Sequence, residues 1–341
     1  MRTSRVLLTI LLLLPAALYA KGNAYSVRMM PLPTSVAGNI SMDYIAYDQH
    51  TGFVWAPAGN TGIVYVVDTH TGKLRQIADF PTAVVQFRNG TRTVGPTSVT
   101  IGDGIVYVGN RADYRICAIN ARSLVPKTCT HIDSMPDGLA YVAATNEVWV
   151  TAPRDKSIRI LDAGTLEQKA KLTFDGNPEG FAVDGGRGRF YTNLEDKDRS
   201  LAIDLKTHET VATWNPACGS EGPHGIRVDE KSGFLFVACS ARAEVLDAAH
   251  DGKVLSSIDT GDGVDDIDYS ATTHRLYVGA AKAGQLVIAH VDADGKLSLV
   301  AQVPTHAGAR NGVVTAAGAV YLAHGGNSDL RDLVVVSPKK K

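Results

Sequence analysis

The chain has 341 residues, which is too long for one ordinary hydrophobic core unless the fold grows by adding repeated units. Charged residues make up 20% of the chain and its formal net charge is −1, so it lacks the basic excess that nucleic-acid-binding proteins usually carry. Its 33 glycines are typical of a fold with many tight turns.

The first twenty residues have the pattern of a secretory signal peptide. Arg2 and Arg5 supply positive charge, residues 6–14 are apolar, and small residues precede a cleavage point after Ala20. The apolar run is short for a helix that spans a bilayer, so we expect cleavage rather than a permanent anchor. No later segment is apolar enough to span a membrane. The mature protein, residues 21–341, is therefore expected to be a periplasmic or secreted monomer with one domain.

Three columns of residues repeat along the chain with a period of roughly 44 residues. An aromatic column lies inside β-branched runs and comprises Trp55, Tyr107, Trp149, Tyr191, Phe236, Tyr277 and Tyr321. A second column, 10 to 12 residues earlier, holds the polar residues Asp43, Thr97, Asp137, Glu179, His224, Asp265 and Asn311, which we call the ring residues. A third column ends an apolar strand and opens a turn at Asp68, Asn120, Asp162, Asp204, Asp247, Asp292 and Ser337.

These columns predict four strands in each unit, called A to D. Strand A begins near the ring residue, strand B carries the aromatic residue, strand C ends at the Asx residue and strand D follows the turn. Seven units of four short strands are typical of an all-β, seven-bladed β-propeller. The last unit has no strand D of its own, so we expect residues 25–32 to complete it and close the ring.

Several strands resemble those of the YVTN-type, YncE-like family of bacterial seven-bladed propellers. The matching segments are Leu276-Tyr277-Val278-Gly279, Phe190-Tyr191-Thr192-Asn193 and Ile158-Arg159-Ile160-Leu161-Asp162. The resemblance covers residues 25–337 and implies the propeller fold, but it names no single activity. Single-stranded nucleic acid has been suggested as a ligand within this family, and the near-neutral charge of this chain argues against strong binding to phosphates.

The propeller geometry predicts that the ring residues surround the mouth of a central funnel at one end of the disc, here called the top. Four of the seven are carboxylates, which would raise one another's pKa and attract a cation. Oxygen ligands suit Ca²⁺, Mg²⁺ or Mn²⁺, and added imidazole would admit Zn²⁺. The residues predicted to hold such a cation are Glu179, Asn193, His224, Asp265 and His324. The other predicted funnel residues are Asp43, Thr97, Asn110, Asp137, His306, Arg310 and Asn311.

Two functions from different classes fit this funnel. The first is a binding module that holds a small molecule, a divalent metal or a partner segment without turnover. The second is a metal-dependent hydrolase, because Asn177-Pro178-Glu179-Gly180 followed by Asp184 resembles an element of the gluconolactonase propellers. That resemblance implies Glu179 and Asp265 as ligand or base and Asn193 as a ligand. A lyase with His224 or His324 as its base, and a merely solvated channel lining, are further alternatives.

Two other features stand outside the repeat. The excess residues Asp79 to Gly95 between the first two units predict a longer strand D, an elongated hairpin or a loop over the top face that acts as a lid or contact arm. In an exported chain the four cysteines are expected to form the local disulfides Cys117–Cys129 and Cys218–Cys239. No CxxC spacing occurs, which disfavours a metal site made by these cysteines.

Overall fold

The computed structural model of the chain describes residues 24–36, 38–87, 90–325 and 330–339. The predicted signal peptide lies outside the described residues. Within them, seven four-stranded antiparallel sheets and one two-stranded hairpin are formed. This confirms the prediction of a seven-bladed β-propeller. The described part of the chain contains no helix that is both long and apolar enough to cross a membrane.

Strands are given from the innermost to the outermost strand of each blade. Blades 1 and 2 are β2 (Ala46–Asp48), β3 (Phe53–Ala58), β4 (Ile63–Asp68), β5 (Leu74–Ile77), and β8 (Pro96–Gly102), β9 (Ile105–Asn110), β10 (Arg115–Asn120), β11 (Pro126–His131). Blades 3 and 4 are β12 (Leu139–Val142), β13 (Glu147–Ala152), β14 (Ser157–Asp162), β15 (Gln168–Thr173), and β16 (Pro178–Asp184), β17 (Arg189–Leu194), β18 (Arg199–Asp204), β19 (Thr210–Trp214). Blades 5 and 6 are β20 (Pro223–Asp229), β21 (Phe234–Cys239), β22 (Arg242–Asp247), β23 (Lys253–Asp259), and β24 (Val264–Ser270), β25 (Arg275–Ala280), β26 (Gln285–Val291), β27 (Leu297–Pro304). Blade 7 is β28 (Ala309–Val314), β29 (Val320–His324), β30 (Asp332–Pro338) and the N-terminal strand β1 (Tyr25–Pro31).

Blade 7 joins the two ends of the chain, as predicted. Strand β1 pairs antiparallel with β30 from Tyr25 opposite Pro338 to Pro31 opposite Asp332. The outermost strand of this blade therefore comes from the N-terminal end of the described chain. This pairing covers the edge of β30 that would otherwise be open.

The aromatic column lies on the second strand of every blade and is buried, with no member more than 4% exposed. Trp149 shows why the repeat requires large rings. Its ring stacks on Phe190 of the next blade at a centroid distance of 4.5 Å, and its indole nitrogen donates to Glu147 Oε2 at 3.0 Å. The column therefore fills the spaces between neighbouring blades, where the interior must be close-packed.

The Asx column terminates the third strand by satisfying the backbone of the following turn. Asp162 Oδ1 accepts hydrogen bonds from the backbone N–H groups of Gly164 and Thr165, both at 2.9 Å. Asp204 makes the same two contacts with Lys206 and Thr207. Side chains that imitate a turn in this way favour Asp and Asn at these positions.

Both predicted disulfides are confirmed. Cys117 and Cys129 are direct cross-strand partners in β10 and β11, and their sulfur atoms are bonded. Cys239, the last residue of β21, is bonded to Cys218 in the loop that precedes β20.

The residues between blades 1 and 2 form a separate hairpin rather than a longer strand D. Its strands are β6 (Ala83–Phe87) and β7 (Gly90–Val94). Arg154, in the turn between β13 and β14, donates to the carbonyl of Gln86 at 2.7 Å and lies over the ring of Phe87 at 4.5 Å. The hairpin therefore extends over the top of the disc as far as blade 3.

Candidate functional site

The top funnel is built from the first residues of the inner strands. Asp137 lies beside the end of β13, since its backbone N–H donates to Thr151 O at 2.8 Å. The glycine after each ring residue in blades 3 to 5 permits close packing of these strands. A Cβ atom on Gly180 would lie 2.2 Å from His224 O of the next blade. The glycine of the Pro-Glu-Gly element in blade 4 is therefore explained by the packing of the inner strands.

Arg111 neutralises one side of the funnel. Its guanidinium donates to Asp43 Oδ2 at 3.0 Å and also to Asp137 Oδ1. The Asn311 amide donates to the other oxygen of Asp43 at 2.9 Å. Burial raises the pKa of Asp43, and Arg111 and Arg310 offset part of that rise. Ring residues that are far apart in the sequence therefore meet at the axis, as the repeat register predicts.

Arg310 supplies a second positive charge. Its guanidinium lies 3.2 Å from Asp265 Oδ1 and 3.6 Å from Asp43 Oδ1. Three of the four ring carboxylates thus have a guanidinium as an ion-pair partner. The protein's own arginines therefore relieve most of the repulsion among the ring carboxylates, which a bound cation was expected to relieve.

Glu179 is the exception among the ring carboxylates. Within the described residues its carboxylate forms no ion pair at 4.0 Å or less, and its one hydrogen bond is from the Tyr44 hydroxyl at 3.4 Å. Burial raises the pKa of Glu179 well above its usual value, and repulsion by Glu195, Asp265 and Asp43 raises it further. Among the described residues, Glu179 is therefore the one ring carboxyl group without a cationic partner at contact distance.

His224 lies close to the carboxylates of Glu195 and Asp265. Its Nε2 atom is 3.1 Å from Ser240 Oγ, and its Nδ1 atom is 3.3 Å from Glu195 Oε1. Burial lowers the pKa of His224, but Glu195 and Asp265 outweigh that effect and raise it overall. A protonated imidazole at this position would donate to Glu195 and reduce the negative charge of the cluster.

Tyr44 connects the funnel with a cavity on the other side of the disc. Its hydroxyl reaches Glu179, and its ring packs against Phe181 at a centroid distance of 5.5 Å. Both rings line a cavity of about 620 Å³ that also contains Arg227 and Tyr269. The base of the funnel is thus aromatic, while its walls are charged.

Two of the three predicted asparagines, Asn193 and Asn110, bind the backbone rather than face the funnel. Asn193 is fully buried; its amide donates to His224 O at 2.6 Å and its oxygen accepts from Ser200 Oγ at 2.7 Å. Asn110 is similarly buried and bonds Pro81 O and the backbone of Ala112. The ligand set that the gluconolactonase resemblance implied is therefore not assembled around Asn193.

Thr97 is buried beside the hairpin, on the wall of a 450 Å³ cleft that also contains Phe87, Arg92 and Arg111. His306 and His324 lie together at the rim of blade 7 with Asp332. Among the described residues, these three form the one group of His, Cys, Asp or Glu side chains whose ligand atoms all lie within 4.8 Å of one another. Glu179, His224 and Asp265 belong to no such group.

Sequence reasoning missed Arg111 and Glu195. Both follow strand B, in the turns between strands B and C that face the top of the disc. The end of strand B and the ring residue lie at the same end of each blade. Charged residues in the turns after strand B were therefore the sequence signal for further funnel residues.

No protein-family model matches the chain, and no curated protein matches its sequence. A virginiamycin B lyase structure from Staphylococcus aureus is similar, with a TM-score of 0.72 and 12% identity over 92% of this chain and 100% of that one. A streptogramin B lyase structure has a TM-score of 0.72 and 13% identity over 92% and 98%. A chain in the mitotic checkpoint complex has a TM-score of 0.74 and 12% identity over 100% and 99%. These similarities show the β-propeller fold alone. Membership of the YVTN-type family stays a prediction.

Proposed function

We propose that this protein is an exported binding module whose top funnel receives a positively charged organic group, an ammonium or guanidinium, at Glu179. The observation that carries this proposal is that the Glu179 carboxyl group has no ion-pair partner among the described residues. An ionised carboxylate that is partly removed from water and has no cation beside it is unfavourable, and a ligand that supplies the cation removes that cost. Binding energy would thus come from the ion pair between the cation of the ligand and the Glu179 carboxylate.

The spacing of the carboxylates favours an organic cation over a metal ion directly bound at Glu179. Metal ligands must converge to distances at which all touch one ion, and Glu179, His224 and Asp265 do not belong to a group that does so. An ammonium group carries three donors and a guanidinium carries five, so either can contact carboxylates that are farther apart.

Glu179 and the carboxylates near it keep some contact with solvent. Glu179 is partly exposed, and the side chains of Glu195 and Asp265 are 39% and 22% exposed. The group could belong to a small amine or to a basic segment of a partner protein. The similarity to a chain in the mitotic checkpoint complex, which is a protein assembly, supports a partner segment as one source.

Calorimetric titration tests the proposal with two probes, lysine amide and an acetylated pentalysine peptide. Glu179→Gln keeps the shape of the side chain and should weaken binding about tenfold or more, because a hydrogen-bonded charge is lost. Glu167→Gln, at an exposed position in a turn, is the matched control and should bind as the wild type does. Binding of the peptide alone would identify a partner segment as the ligand.

Unchanged binding in Glu179→Gln, or no binding of either probe, would refute the proposal. The same preparations should be incubated with a panel of lactones and Ca²⁺ or Mn²⁺. Turnover that disappears in Glu179→Gln would support the hydrolase hypothesis instead.

Export is the second part of the proposal. Two disulfides in a chain with a signal-peptide pattern support an oxidising compartment. Expression of the full chain in a bacterial host, followed by N-terminal sequencing of the periplasmic fraction, should give a mature protein that begins at Lys21. Recovery of the uncleaved chain from the cytoplasm would contradict export.

A further inference from the structure

A cluster of two histidines and one aspartate lies at the top rim of blade 7. His324 is the last residue of β29 and Asp332 is the first residue of β30, so the two strands bring them side by side. His306 comes from the connection between β27 and β28. Three segments of one blade therefore place three potential metal ligands together.

The separations of the ligand atoms match those around one metal ion. His324 Nε2 is 2.9 Å from Asp332 Oδ1, and His306 Nε2 is 3.4 Å from the same oxygen. Two ligands bonded to Zn²⁺ at about 2.0–2.2 Å are separated by about 2.9 Å at a right angle and about 3.4 Å at the tetrahedral angle. All three ligand atoms lie within 4.8 Å of one another, so small side-chain movements would complete the geometry.

The hydrogen bond of His306 leaves the lone pair of its Nε2 atom available to a metal ion. Its Nδ1 atom is 3.3 Å from the carbonyl oxygen of Ala307, and a carbonyl can only accept, so Nδ1 carries the proton. Nε2 then has a free lone pair, and this atom is buried without a hydrogen-bond partner although Asp332 lies close to it. Metal-bound histidines commonly donate their second ring nitrogen to a backbone carbonyl in this way.

The exposure of the three side chains fits a metal ion that the protein holds on one side and that faces solvent on the other. The His324 side chain is fully buried, whereas those of Asp332 and His306 are 15% and 20% exposed. The ion would be held from the protein side and would keep a coordination position toward solvent, as zinc sites with three protein ligands do. Two imidazoles and one carboxylate suit a divalent transition metal better than Ca²⁺ or Mg²⁺, which prefer oxygen.

We propose that His306, His324 and Asp332 form a binding site for a divalent transition metal, with Zn²⁺ as the ion that the ligand set fits best. The site differs from the Glu179 site in its residues, its blade and the chemistry of its ligand. It does not depend on the proposed function. Metal binding would also fix the connection that precedes Arg310, which lies at the start of β28 and pairs with Asp265.

Titration of metal-free, full-length mature protein with Co²⁺ and then Zn²⁺ tests the site. Cobalt should give a visible absorption band with one equivalent bound, and Zn²⁺ should displace it. His306→Ala and Asp332→Asn should each weaken binding about tenfold or more and should abolish the rise in melting temperature that Zn²⁺ causes. Asp332→Asn preserves the size of the side chain, so one variant remains informative if the other folds poorly.

His250→Ala is the matched control. His250 lies 2.7 Å from Asp247 and is 76% exposed, but this pair belongs to no three-ligand group among the described residues. The His250→Ala variant should bind cobalt as the wild type does. Glu179→Gln should also bind cobalt normally, and this result would show that the metal site is independent of the funnel. The proposal is overturned if the wild type binds neither ion in excess metal, or if His306→Ala and Asp332→Asn bind as tightly as His250→Ala.

Discussion

The pairing of Arg111 with two ring carboxylates predicts a large and pH-dependent effect of removing this arginine. Its side chain is 22% exposed, and those of its partners Asp43 and Asp137 are 14% and 8% exposed. Arg111→Met keeps most of the aliphatic volume but leaves two poorly hydrated carboxylates without their guanidinium. Breaking a buried ion pair from one side typically costs about 3–5 kcal/mol, and we expect a loss of that order in the free energy of unfolding at pH 7.

The loss should become smaller as the pH falls. Burial already raises the pKa of Asp43, and removal of Arg111 takes away one of the two charges that oppose this rise. A carboxyl group whose folded pKa is raised is most stable in the fold when it is protonated, and its contribution is lost as the pH rises through the folded pKa. The difference between wild type and variant should therefore be largest near neutral pH and should shrink toward pH 4.

Urea unfolding followed by tryptophan fluorescence at several pH values between 4.5 and 7.5 measures this effect. Arg122→Met, at an exposed turn position, is the control and should change stability by no more than about 0.5 kcal/mol. The double variant Arg111→Met/Asp137→Asn should recover part of the loss, because one unpaired charge is removed. A loss below about 1 kcal/mol, or one that is the same at every pH, would refute the assigned role of Arg111.

Two further predictions concern the channel and the blade interior. Burial raises the pKa of Asp266 from 3.8 to about 6 despite its contact with Arg227 at 2.8 Å, so this group should contribute stability below pH 4 that is lost by about pH 6. The loss is about 3 kcal/mol, and Asp266→Asn should remove that slope from a plot of unfolding free energy against pH; an unchanged slope would assign it to other groups. Trp149→Ala should cost about 3–5 kcal/mol, because it empties the space between blades 3 and 4 where the indole stacks on Phe190. Urea unfolding measures this loss too, and a cost below about 1 kcal/mol would mean that the blades repack without the indole.

The architecture was predictable because it repeats. Seven aromatic residues in register gave the blade number, and the missing last strand gave the closure by β1. The same register placed the ring residues around the axis, since their position along strand A is fixed by the strand itself. These features depend on local periodicity, which a single sequence displays directly.

The contacts within the funnel were not predictable in the same way. Asn193 was expected to face a ligand, but its amide instead donates to the backbone of His224 in the neighbouring blade. Arg111 lies outside every column, so its role depends on the close approach of blades 1, 2 and 3 at the axis. Asp332 was likewise missed, because its position beside His324 follows from the pairing of β29 with β30.

The distribution of charge in the funnel argues that Glu179 serves binding. The net charge of the whole chain is only −1, but within the funnel the carboxylates outnumber the arginines. Arg111 and Arg310 show that this fold can neutralise ring carboxylates with its own residues, and they do so for Asp43, Asp137 and Asp265. Glu179 has no such partner among the described residues, and its raised pKa means that its ionised form weakens the fold. Charged groups that lack a partner are characteristic of functional sites. There the free protein loses some stability, and a bound ligand restores it.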